Sequence, residues 1–72
     1  MFIIGFYNMK ELEKGISAKH FKEIKCDIYP HKEEFVIIDK ILYLVRSVNI
    51  NYDDNTVHIF VEEMRKWVIK QI

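Results

Sequence analysis

The stretch from Phe35 to Val61, FVIIDKILYLVRSVNINYDDNTVHIFV, constrains the fold more than any other part of the chain. Two apolar runs, Phe35–Ile38 and Ile41–Leu44, flank a single charged pair, Asp39-Lys40. Short runs of Ile, Val, Phe and Tyr bounded by turn residues are the pattern of strands. Two residues between such runs call for a tight hairpin, with Ile38 beside Ile41 and Ile37 beside Leu42. Both faces of this hairpin are apolar. One covers a core, and the other needs the helix, the N-terminal strand or a partner over it.

Past Val45 the alternation breaks at Arg46. An uninterrupted strand sets Arg46 among Leu42, Leu44, Val48 and Ile50. A bulge at Arg46-Ser47 instead groups Ile41, Tyr43, Val45, Val48 and Ile50, and releases Arg46 outward. Burying an unpaired guanidinium is costly, so the bulge is expected. Asn51 to Asn55, NYDDN, is a turn by its chemistry. Thr56 to Glu62 then returns as a strand, with Val57, Ile59 and Val61 inward and His58 and Phe60 outward.

The flanks are read by period. Met1–Tyr7 is a short apolar run, consistent with a buried strand. Asn8 stands three before Glu11, the spacing of an N-cap with its capping-box acid. Met9, Leu12 and Ile16 share a helical face, so residues 9–23 are expected to be helical, in one piece or broken at Gly15. Ile24, Cys26 and Ile28 then alternate with Lys25, Asp27 and Tyr29, a half-buried strand ended by Pro30. At the end, Met64, Trp67, Val68 and Ile72 share a helical face. Residues 63–72 therefore read as an amphipathic helix, with a strand as the alternative because Trp67, Val68 and Ile69 are contiguous. The expectation is one α+β domain, 1–72: a small bent antiparallel sheet or open SH3-like barrel of about five strands with one or two short helices. The segment Tyr43–Val61 resembles the paired strands of small SH3-like barrels, through its alternation.

Composition limits function. A 72-residue chain buries a modest share of its surface, about 60% for a domain this small. Half its residues are apolar and ten are aromatic, so self-association is expected as often as not. One cysteine, Cys26, makes no internal disulfide and places the chain in a reducing cytoplasm. The opening MFIIGFY lacks a basic region and a cleavage site, and is far shorter than a bilayer crossing, so no membrane role is expected. Abundant Ile, Lys, Tyr and Phe with scarce Ala, Gly and Pro accord with a low-GC genome, and so with a bacterial or phage accessory gene.

No motif carries chemistry. His20, Cys26 and His31 are separated by five and four residues, against the tight pairs that zinc sites favour. Cys26 alternates with apolar neighbours and reads as a small core residue. The acid pairs Glu33-Glu34, Asp53-Asp54 and Glu62-Glu63 lie in turns or at termini, where adjacent side chains diverge. No cofactor and no enzyme activity are expected.

Two binding readings remain. Net charge is zero, whereas phosphate-binding domains are usually basic. The lysines from Lys10 to Lys32 nonetheless mix with Phe21, Tyr29 and Phe35, while Asp53 to Glu63 holds four acids and no Lys or Arg. A weak single-strand nucleic-acid module would use Lys22, Lys25, Arg46 and Tyr52. The leading reading is a non-enzymatic adaptor or inhibitor, of the kind carried by phages and mobile elements. It docks an apolar β face on another protein or a second copy. Leu42, Tyr43, Phe60 and Trp67 are its expected anchors, with Arg46 as a polar specificity contact.

Overall fold

Five segments extend and pair: β1 (Phe2–Asn8), β2 (Lys22–Cys26), β3 (Phe35–Ile38), β4 (Ile41–Asn51) and β5 (Thr56–Lys66), with one helix, α1 (Met9–Glu13). The computed structural model describes residues 1–13 and 19–66. Over these the protein is a small mixed sheet curled into a half-barrel, mostly β, in the order β2-β1-β5-β4-β3.

The expected antiparallel sheet is corrected at one seam. β1 runs parallel to β5, with Ile3 opposite Thr56 and Asn8 opposite Val61, while every other pair is antiparallel. β5 thereby becomes the central strand, and its alternation fits that position: Val57, Ile59 and Val61 are fully buried. They meet Ile4 and Phe6 of β1, Tyr43 and Val45 of β4, and Ile38 of β3 in a single core on the concave face. No polar or charged residue is buried among the described residues.

The two bends foreseen in β3–β5 are present. Asp39 and Lys40 both have positive φ, 51° and 68°, the primed geometry that matches the right-handed twist of a hairpin. The register is the expected one, Ile38 with Ile41 and Ile37 with Leu42. In β4, Val45 pairs with Val61 and Ser47 with Phe60, so Arg46 is the extra residue of a bulge and points to solvent. A second irregularity lies opposite: Leu42 pairs with Arg65 but Tyr43 with Glu63, which skips Met64. Two bulges in one long hairpin increase its twist and help curl the sheet.

Local expectations fail where two periods compete. Asn8 does cap α1, its Oδ1 accepting from the Lys10 amide at 2.9 Å. The helix expected through residue 23 is instead extended at its far end, since β2 begins at Lys22. Residues 14–18 lie outside the described residues. The C-terminal helix is likewise corrected over 63–66, which continue β5, and residues 67–72 lie outside the described residues.

β2 and β3 are consecutive in sequence yet occupy opposite edges of the sheet, so their connection must cross a face. It crosses the concave one. Tyr29 meets Phe2 edge-on at 5.6 Å, and Pro30 lines a cleft with Phe6 and Val36.

Tyr43 lies on the same concave side, 5% exposed, with its ring 5.3 Å from that of Phe21, the residue before β2. Burial raises its phenol pKa above the ordinary 10.0, and the nearby carboxylates of Glu63 and Asp39 add to the rise. Below pH 10.0 both folded and unfolded chains keep the proton, so stability is untouched there. Above it the unfolded chain ionises first, and stability falls as pH rises. Urea melts between pH 9 and 11 should show a shallower alkaline decline for Tyr43→Phe than for wild type, by up to about 1.4 kcal/mol per pH unit. Parallel declines would show that the phenol titrates alike in both states.

Candidate docking surface

The β3–β4 hairpin has two unlike faces. Val36, Ile38, Ile41 and Tyr43 turn to the core, and the pairs Phe35–Leu44 and Ile37–Leu42 turn outward. Phe35 is 60% exposed and Ile37 50%, while Leu42 and Leu44 are half-buried. Across the sheet the row continues from Phe35 through Leu44 to Glu62 on β5. Glu62 accepts an ion pair from Arg46 Nε at 3.6 Å. The bulge thus aims Arg46 at the rim of an apolar patch. β3 is also an edge, with no charged side chain among its four residues.

Elsewhere on the outer face, aromatic side chains of β1 and β5 pack on one another. Tyr7 stacks on Phe60 at 5.1 Å, and its hydroxyl meets His58 Nδ1 at 2.8 Å. His58 Nε2 lies 3.4 Å from Thr56 Oγ1, which donates to Asp54 Oδ1 at 2.6 Å. His20 packs edge-on against Tyr7 at 6.0 Å, directly above Gly5. A Cβ on Gly5 would stand 3.3 Å from the His20 Cβ, so the missing side chain is what lets this segment lie on the sheet. A glycine inside an apolar strand run marks such an approach, a signal present in MFIIGFY and not used above.

The half-barrel leaves an opening between its edges. Lys22 Nζ of β2 reaches Asp39 Oδ1 of the β3–β4 turn at 3.8 Å, closing one end. Beside this pair is a largely apolar cleft of about 370 Å³, walled by Ile24, Val36, Ile37 and Ile38.

The expected anchors are dispersed. Leu42 lies on the outer hairpin face with Arg46 near its rim. Tyr43 is corrected to a core residue, because pairing with Val36 puts both on the concave side. Phe60 points outward as expected but is half covered by Tyr7. Trp67 lies outside the described residues. Phe35 and Ile37 were named as strand residues and not as anchors, although the two-sided pattern already contained them.

The nucleic-acid set is not brought together. Lys22 and Lys25 belong to opposite faces of β2, Tyr52 is 74% exposed in the β4–β5 turn, and Arg46 lies on β4. Lys22 and Arg46 are each paired with a carboxylate. Of the histidines and cysteine, His20 sits on the outer face, Cys26 packs against the core, and His31 lies in the crossing loop beside Glu34. No described helix is long and apolar enough to cross a membrane. No family model, no curated protein and no solved structure matches this chain.

Proposed function

We propose that the protein acts by binding, as a non-enzymatic accessory that receives an extended segment of a partner protein along β3. One observation carries this reading: β3 is an uncharged edge strand whose Phe35 and Ile37 stand half or more exposed. Sheet edges are ordinarily blunted by charge, proline or cover, because their free N–H and C=O groups invite another strand. A partner strand gains affinity from the main-chain ladder, and specificity from side chains at alternate positions. Here those side chains would lie beside Phe35 and Ile37 on the outer face, with Arg46 and Glu62 at the rim. The resemblance of Tyr43–Val61 to small SH3-like barrels fits the same reading, since barrel rims and edges are common docking places.

Ile37→Lys places a charge on this edge while leaving the core untouched. Cross-linking in the host cell, followed by affinity measurement with the recovered protein, is expected to show binding at least about 30-fold weaker than wild type, a hot-spot loss of 2 kcal/mol or more. Tyr52→Ser, also exposed but in the β4–β5 turn, is the control and should bind as wild type. Equal binding by the Ile37→Lys protein would sink the proposal. A rise from 50 to 200 mM salt should change affinity little, whereas phosphate-led binding weakens steeply.

A further inference from the structure

The opposite edge of the sheet has a different character. β2 is Lys22-Glu23-Ile24-Lys25-Cys26, and it too ends the sheet among the described residues. Its pairing with Phe6, Ile4 and Phe2 puts Lys22, Ile24 and Cys26 on the concave side, with Glu23 and Lys25 on the outer face. Charges on an edge ordinarily deter a foreign strand. These charges are arranged to accept one particular strand, a second β2.

We propose that two copies of the chain join antiparallel through their β2 edges, about a two-fold axis at Ile24. In that register Ile24 faces the partner's Ile24, Glu23 faces the partner's Lys25, and Lys25 faces the partner's Glu23. Directly opposed residues of an antiparallel pair share a face, with Cβ atoms about 5 Å apart, so both ion pairs form on the outer surface. The nearest alternatives that keep both concave faces on one side centre the pairing on Glu23 or on Lys25. The first opposes two glutamates. The second opposes two lysines, and sets Glu23 against the partner's Asp27. Only the Ile24 register matches charge at every outer position.

The concave side favours the same partner. Ile24 is 38% exposed and Ile28 77%, and they line a shallow cleft of about 560 Å³ with Cys26, Tyr29 and Pro30. Two such half-covered surfaces meet at the axis. Glu23 already lies 3.4 Å from His20 Nε2 through Oε1, which leaves Oε2 for the incoming lysine. An isologous contact of this kind closes at two copies. It uses β2 and not β3, which face each other across the half-barrel opening, and Ile37→Lys leaves Glu23 and Lys25 in place, so the two readings are tested separately.

Charge reversal tests it with the full chain. Wild type is expected to sediment as a dimer. Glu23→Lys alone and Lys25→Glu alone each oppose like charges, and should raise the dissociation constant at least about tenfold. An equimolar mixture of the two variants restores opposite charges at both positions and should recover the dimer. Both sites are exposed, so the fold should survive, and circular dichroism checks this. Amide exchange of wild type adds a reading that needs no variant: β2 amides should gain protection as concentration rises. A monomeric wild type at 1 mM, single variants that dimerise as wild type does, or β2 exchange independent of concentration would each overturn the proposal.

Discussion

Ile59→Ala melts far below wild type. Ile59 is 0% exposed in the middle of β5, with Phe6 of β1 and Val48 of β4 as its register partners. An isoleucine-to-alanine change in such a site costs about 2 to 5 kcal/mol, the lost transfer energy plus the cavity left behind. At about 0.05–0.15 kcal/mol per residue, a domain this size has roughly 4 to 11 kcal/mol in total. One substitution therefore removes from about a fifth to all of the stability. Each kcal/mol moves the midpoint by about 4–8 °C in a domain this small, so a fall of about 8–40 °C is expected. Ile3→Ala, on the outer face of β1 and 37% exposed, is the matched comparison and should cost under about 1 kcal/mol. Thermal and urea melts of both decide the matter. Equal shifts would show that β5 is not the centre of the sheet.

Deleting Val45 unfolds the protein, whereas deleting Arg46, the next residue, does not. In β4 the pairs Val45–Val61 and Ser47–Phe60 flank the unpaired Arg46. Without Arg46 the strand runs Val45, Ser47, Val48 in unbroken alternation, and every existing pair is kept. The ladder toward β3 is kept as well, since Val45 exchanges its bonds with Glu33 and Glu34 at 2.8 and 2.9 Å. The cost is the bend that the bulge supplies, about 1–2 kcal/mol for a strained strand of this sort. Removing Val45 leaves no such escape. Closing the bulge then sets Arg46 opposite Val61, in the fully buried place that Val45 held, and the alternative slip exchanges the faces of Ile41–Leu44. Losing a core side chain and burying a guanidinium costs about 4 kcal/mol or more. Near-ultraviolet circular dichroism at 25 °C should retain the tertiary signal for the Arg46 deletion and lose it for the Val45 deletion. The reverse ranking would mean that the strand does not bulge at Arg46.

The contrast also marks what the chain made legible. The hairpin register and the bulge could be read because each follows from a local conflict: apolar runs too close for anything but a tight turn, and a charge in a buried stripe. The turns of NYDDN could be read for the same reason, and Asn51 Oδ1 does accept from the Asp53 amide at 2.9 Å. Lys22 and Glu23 were misassigned to a helix because apolar positions three and four apart fit a helix and also a short strand joined to a loop. Met64 misled the reading of 63–66 in the same way, its bulge displacing it from the strand period. The parallel union of β1 with β5 had no local signature, since nothing in FIIGFYN names a distant strand. The docking surface was half legible. Two apolar faces on one hairpin implied an exposed patch, but which residues it held depended on which face the core took. That choice put Tyr43 inside and Phe35 and Ile37 outside.

The parallel seam bears on how the fold assembles. Ile3 lies beside Thr56 and Asn8 beside Val61, so β1 borders a strand that follows every other described strand in the chain. FIIGFY can pair with β2 early, but its second neighbour arrives only once β5 has emerged. Pairing across so long a stretch is slow, and until it is made the apolar side of β1 stays open to solvent.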